Sequence, residues 1–131
     1  MNHDEVTESF NRLAWHDSKL IAVHIQRSGD IDDVIVDLQM RQFSKRVLTP
    51  ATLVLEDAAF FLCDLDLHGK WECGDDISSA TCHAQSELKT RIQNERLGFS
   101  ADALKDYLHF HFRLIPTGGS IDVIAANFRF E

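Results

Sequence analysis

The sequence predicts an α+β fold: one domain over residues 1–131, built on a largely antiparallel and strongly bent sheet with one or two helices. Alternating apolar and polar residues mark several strands. Two other segments show the three-to-four-residue spacing of helices. A chain of 131 residues with 44% hydrophobic side chains is sufficient for a single ordinary core. We expect six or seven strands in a half-barrel, with a two-layer sheet as the alternative.

The first third of the chain predicts a helix followed by a hairpin. Apolar residues recur at helical spacing over residues 3–13, which indicates a short amphipathic helix. Alternation over residues 19–27 and again over residues 34–41 predicts two strands, and the Ser-Gly-Asp sequence at 28–30 favours a turn between them.

The middle of the chain predicts two strands, a third strand and a second helix. Residues 52–67 are expected to form two strands that break near Glu56. Residues 77–83 fit the period of a strand. Residues 87–96 fit the period of a helix, for which Ser86 is the expected N-cap.

A C-terminal hairpin over residues 107–130 is the clearest predicted element. Two alternating segments flank a turn at residues 116–119. Phe128 and Phe130 depart from the alternation of the last strand, so either a bulge occurs there or both faces are covered, for instance by the N-terminal helix. The register that matches apolar residues and opposite charges pairs Leu114 with Ile121, Phe112 with Val123, Phe110 with Ala125 and Arg113 with Asp122.

The segment Trp15-His16-Asp17-Ser18 contains the residue types of a hydrolytic triad. Adjacent residues cannot form the relay, because the histidine must contact the nucleophile and the carboxylate through opposite ring nitrogens. We therefore expect Asp17 or Ser18 to fix the turn into the first strand, with Trp15 packed as an anchor.

Residues 15–20, together with residues 77–82, 86–88 and 124–131, resemble a group of small bacterial proteins with a W/H-D-S start and a β-hairpin end. Some members of that group are similar to immunity proteins of polymorphic toxin systems, the immunity-50-like set in particular. The resemblance implies a sheet-rich fold and a toxin as partner. The group carries no assigned catalytic residues, so the resemblance implies none here.

Charge and cysteine content restrict the partners and the location. A net charge of −8 argues against nucleic acid and anionic membranes, and it is compatible with a basic partner protein. No apolar run is long enough to cross a bilayer, and the acidic start lacks the pattern of a secretory signal. The three cysteines, Cys63, Cys73 and Cys82, show no disulfide spacing, so we expect reduced thiols and a cytoplasmic protein.

Histidines form the first group of candidate site residues. His109 and His111 share one face of the predicted strand, and this spacing can bind a metal if a third ligand lies on a neighbouring strand. His24 qualifies only if the first strand pairs beside the closing hairpin. These three histidines and Trp71 are the candidates for a ligand pocket in the curved sheet. The alternative is a half-exposed polar face.

Acidic residues and cysteines supply the other candidates. The acids Asp64, Asp66, Asp75 and Asp76 are candidates for partner binding, or else they line a solvent-facing edge that deters strand pairing. A zinc site from His68, Cys73, Cys82 and His83 is disfavoured, because the spacing lacks the tight cysteine pairs of such sites. The sequence thus assigns no catalytic residue, no metal site and no cofactor.

The favoured function is that of a non-enzymatic protein-interaction module. The resemblance implies a specific role for it, that of an immunity protein that neutralises a toxin. The missing catalytic motif, the net charge and the resemblance motivate this hypothesis. Two alternatives stay open: a small-ligand-binding or metal-dependent enzymatic domain, and a structural homodimer.

Overall fold

The computed structural model describes residues 2–41, 47–65, 76–96, 103–115 and 118–131. The α+β class is confirmed, with two helices and six antiparallel strands in one bent sheet among these residues. In chain order the elements are α1 (His3–Asn11), β1 (Ser18–Ser28), β2 (Ile31–Arg41), β3 (Leu48–Asp64), β4 (Asp76–His83), α2 (Glu87–Arg96), β5 (Leu108–Ile115) and β6 (Ser120–Phe130).

The sheet has the strand order β1-β2-β3-β6-β5-β4 and closes on itself. Closure is made by two residue pairs between β1 and β4, Ser18 with Ile77 and Lys19 with Asp76. The sheet therefore bends further than the half-barrel expected from the sequence. Residues 20–28 of β1 continue beyond this short contact and pair with β2 alone among the described strands.

The core fills the inside of the closed sheet, because one face of every strand is apolar. α1 contributes to it from one end through Val6 and Phe10, both buried. The Phe10 ring centroid lies 4.7 Å from that of Trp15 and 5.0 Å from that of Phe110. The contact of Phe10 with Phe110 is edge-to-face, and such aromatic pairs add to the free energy of apolar burial. The helix thus seals the end of the sheet that carries Trp15.

Phe128 is packed against the same aromatic cluster, whereas Phe130 contacts it and stays 38% exposed. The Phe128 centroid lies 5.2 Å from that of Phe10, and the Phe130 centroid lies 6.4 Å from that of Trp15. This agrees with the alternative in which the N-terminal helix covers the end of the last strand. The side chains of β6 that face the core are Ile121, Val123 and Ala125, and after them Phe128. The alternation of the strand therefore changes between Ala125 and Phe128.

The prediction that one strand ends and another begins near Glu56 is wrong, since β3 is a single strand from Leu48 to Asp64. The irregularity exists nevertheless. Asp57 has a φ of 52°, and its N–H donates to Oδ1 of Asp33 at 2.9 Å. Aspartate tolerates this left-handed conformation better than most side chains. The chain therefore distorts at Asp57 without leaving the sheet.

The predicted register of the closing hairpin is also wrong, by two residues. Phe112 lies opposite Ile121, Phe110 opposite Val123 and Arg113 opposite Ser120. A shift of two keeps every side chain on its face, so the apolar pattern cannot distinguish the two registers. The observed loop starts one residue earlier than the predicted turn, since the Leu114 N–H donates to the Gly119 carbonyl at 2.9 Å. Asp122 consequently faces His111 rather than Arg113.

Gly119 brings the closing hairpin against the end of β3. A Cβ atom at this position would lie 2.5 Å from the Asp64 carbonyl oxygen, a backbone atom that cannot rotate away. We expect Gly119→Ala to lower the free energy of unfolding by about 2–3 kcal/mol, because the two strands must separate locally. Urea denaturation measures this loss.

Gly29→Ala is the matched control for that substitution. Gly29 has a φ of 65°, but a Cβ there would meet nothing within 4 Å. The loss should therefore be limited to the roughly 1 kcal/mol cost of a left-handed alanine. Equal losses for the two variants would contradict the close approach of Gly119 to β3.

Candidate functional site

The strongest candidate site lies on the outer face of β5 and β6. Phe110 and Phe112 point into the core, so the alternation of β5 turns His109 and His111 outward. His111 lies directly opposite Asp122 of β6. The outward face therefore collects two imidazoles and one carboxylate.

Both imidazoles contact the same oxygen atom. Nε2 of His109 and Nδ1 of His111 each lie 2.7 Å from Oδ1 of Asp122. The two ring centroids are 6.1 Å apart, with the rings inclined at 68°. We call these three residues the His–Asp–His cluster. Its potential ligand atoms all lie within 4.8 Å of one another, so the cluster can hold a metal ion.

The environment of the cluster changes from buried to open. The side chains of His109, Asp122 and His111 are 10%, 14% and 37% exposed, respectively. Nδ1 of His109 is buried without a hydrogen-bond partner. A buried N–H without an acceptor is costly, so the neutral ring carries its proton on Nε2, towards Asp122.

The two imidazoles keep Asp122 ionised. Burial of the carboxyl group acts to raise its pKa, but the hydrogen bonds from His109 and His111 outweigh burial, and the pKa lies below its usual value. The cluster therefore presents a carboxylate flanked by two nitrogen groups. Such an arrangement can bind a cation or orient a proton donor.

Only part of the predicted histidine set comes together. His24 is exposed on β1 opposite Ile35, and β1 pairs with β2 and β4, so the condition for its joining the closing hairpin is not met. Trp71 lies outside the described residues. The candidate ligand that sequence reasoning missed is Asp122, because the predicted register paired it with Arg113.

Cys82 and His83 lie on opposite faces of β4. Cys82 is buried in the core, where burial raises the pKa of its thiol to about 11, whereas His83 is exposed. Neighbouring residues of one strand point to opposite sides of the sheet. The two side chains therefore cannot bind one ion, and His68 and Cys73 lie outside the described residues. His83 is instead opposite His109 across the β4–β5 ladder.

Two of the four predicted partner-binding acids fall within the described residues. Asp64 is exposed at the end of β3 opposite Ser120, and Asp76 begins β4 opposite Ile115. Both lie at the end of the sheet where β5 and β6 are joined. Asp76 also forms an ion pair of 3.7 Å with Lys19. Asp66 and Asp75 are outside the described residues.

A second candidate is a cleft between the tip of the β1–β2 hairpin and β3. Pairing of β2 with β3 ends at Val34 and Leu55, just before Asp57 distorts β3. Beyond that point the hairpin and β3 separate, leaving a cavity of about 380 Å³. We call it the hairpin cleft; its lining includes Ile25, Arg27, Asp32, Ala58, Phe61, Leu62 and Arg96.

The lining of the hairpin cleft is partly apolar and open to solvent. Ile25 and Leu62 are 45% and 46% exposed, so two large aliphatic side chains that line one cavity stay in contact with water. The charged groups have partners: Arg27 lies 4.0 Å from Asp32, and the Arg96 guanidinium lies 5.2 Å above the Phe60 ring. The cleft thus presents apolar surface beside the Arg27–Asp32 ion pair and the positively charged Arg96.

Comparison of the chain with protein-family models, with curated protein sequences and with solved structures finds no significant match. The resemblance to immunity-50-like proteins accordingly stays a prediction. Neither helix of the described residues has the length and apolar character needed to cross a membrane.

The opposite environments of two cysteines predict different reactivity. Cys63 is exposed, whereas Cys82 is buried. Because burial raises the pKa of Cys82, its thiol stays protonated at neutral pH, and a protonated thiol does not act as a nucleophile. We expect iodoacetamide to alkylate Cys63 at least about tenfold faster than Cys82 in the native protein. Peptide mass spectrometry over a time course measures both rates.

Unfolding the protein in urea supplies the control, because both thiols should then react at similar rates. Native-state alkylation of Cys82 as fast as that of Cys63 would show that β4 does not bury this residue.

Proposed function

We propose that this protein is an interaction module that binds a basic partner protein through the hairpin cleft. The observation that carries the proposal is the pair of half-exposed aliphatic side chains, Ile25 and Leu62, that face one open cavity. No group of the cleft needs to perform chemistry for this function.

Apolar anchoring supports the proposal energetically. Interfaces commonly gain most of their binding free energy from a few apolar side chains that fill pockets at the centre of a polar rim. The hairpin cleft has this layout, with Ile25 and Leu62 beside Arg27, Asp32 and Arg96. An apolar side chain of the partner can remove both aliphatic groups from water at once.

Charge supports a basic partner. The chain has a net charge of −8, which accelerates encounter with a positively charged protein. Close to the cleft, Asp30 is exposed at the hairpin tip, while the charge of Arg27 is compensated by Asp32. The resemblance to immunity-50-like proteins is consistent with a toxin as this partner. A cytoplasmic site of action, expected from the three cysteines, belongs to the same proposal.

Co-expression with the product of the neighbouring gene tests the function. The full chain should co-purify with that protein as a stable complex. Ile25→Lys and Leu62→Lys should each weaken binding at least about tenfold, because each places an ammonium group in the apolar part of the interface. Isothermal titration calorimetry with the purified partner measures the loss.

Val47→Lys is the matched control, since Val47 is a 64% exposed aliphatic residue that is not part of the cleft lining. It should bind like the wild type. Failure of the wild type to co-purify, or equal weakening by all three lysine variants, would exclude the cleft as the partner site. Light scattering that showed a homodimer dissociated by Ile25→Lys would assign the cleft to a second copy instead and overturn the proposal.

A further inference from the structure

The His–Asp–His cluster contributes no residue to the lining of the hairpin cleft, although Leu62 of the cleft lies opposite Asp122 across the β3–β6 ladder. The cleft is formed by β1, β2, β3 and the end of α2, whereas the cluster lies on β5 and β6. Its burial and its convergence on a single oxygen therefore call for a separate explanation.

We propose that this outer face is a divalent transition-metal site, with Nε2 of His109, Nδ1 of His111 and Oδ1 of Asp122 as the protein ligands. Two imidazoles and one carboxylate form a donor set typical of zinc and of the related ions cobalt and nickel. Hard cations such as magnesium prefer oxygen ligands.

Convergence of the ligand atoms supports the site. Both nitrogens lie 2.7 Å from one carboxylate oxygen. An ion with bonds of about 2.0–2.2 Å needs these three atoms to move slightly apart, and no further residue has to be brought in. An ion bound by all three groups requires each neutral ring to carry its proton on the other nitrogen, which is Nε2 in His111 and Nδ1 in His109.

The backbone holds the ligands in place before any ion arrives. His111 and Asp122 are a direct cross-strand pair, and His109 is two residues along the same face. Between them Phe110 and Val123 are fully buried in the core, which fixes the pleat of both strands. Ligands on paired strands lose little conformational freedom on binding an ion.

The surroundings also set an upper limit to the affinity. Nδ1 of His109 has no acceptor, whereas metal-bound histidines usually donate their second ring N–H to a carboxylate or a carbonyl. Three ligands leave the fourth position of a tetrahedral ion to water, on the open side near His111. We therefore expect a dissociation constant on the order of micromolar rather than nanomolar.

Metal titration of the full-length protein tests the site. Protein stripped with EDTA and dialysed is titrated with ZnCl₂ by calorimetry and with CoCl₂ by visible absorption. The wild type should bind one ion at this site and develop the d–d bands of low-symmetry cobalt. His111→Gln and Asp122→Asn should each weaken binding by at least about tenfold.

His24→Gln is the control, because it removes an exposed histidine from β1 and should leave both titrations unchanged. Circular dichroism establishes that each variant is folded; if Asp122→Asn is not, the more exposed His111→Gln decides the question. Equal zinc affinity and equal cobalt spectra for wild type and His111→Gln would overturn the proposal. So would magnesium binding as tight as zinc binding.

Discussion

The short segment Trp15–Ser18 is the constraint on which the closed sheet depends. The Trp15 indole N–H donates to the Phe10 carbonyl at 2.9 Å, so the end of α1 and the start of β1 are held together in the core. Asp17, with a φ of 65°, then donates its N–H to the Ile77 carbonyl of β4 at 3.0 Å. Ser18 is fully buried and donates from Oγ to the Ala14 carbonyl. These contacts turn the chain sharply and bring β1 to β4.

Closure in this way determines where polar groups can lie. Aromatic rings from α1, β5 and β6 occupy the interior. The ring centroid of Phe10 lies within 6 Å of the ring centroids of four other residues: Trp15, Phe110, Phe112 and Phe128. Polar residues of the same strands must therefore face outward, which is how β5 presents two histidines beside Asp122. The hairpin cleft has a different origin, since it forms where the β1–β2 hairpin extends beyond the closed part of the sheet.

The sequence predicts faces well and pairings poorly, for a physical reason. A period of two identifies which side chains of β5 face inward, and the α2 boundaries with the Ser86 cap follow from local propensity: the Lys89 N–H donates to Ser86 Oγ at 3.1 Å. Register depends on the residue at which the turn begins, and moving the turn by one residue shifts the pairing by two without changing any face. The predicted register placed Asp122 opposite Arg113 instead of His111. The sequence therefore did not reveal the third member of the His–Asp–His cluster. Closure of β1 onto β4 is a long-range contact of two residue pairs, which no local pattern specifies.

The graded burial of the His–Asp–His cluster follows from the position of α2. Ile124, opposite His109 on β6, is fully buried against Ile92 of α2 and Leu104. This small second core covers the outer face on the His109 side and ends before His111, whose side chain stays 37% exposed. One imidazole is therefore fixed in a dry environment while the other borders solvent. An ion bound to ligands that are buried on one side and open on the other would keep one coordination position that water can exchange. The packing of α2 on the sheet therefore also determines the side from which the cluster can be reached.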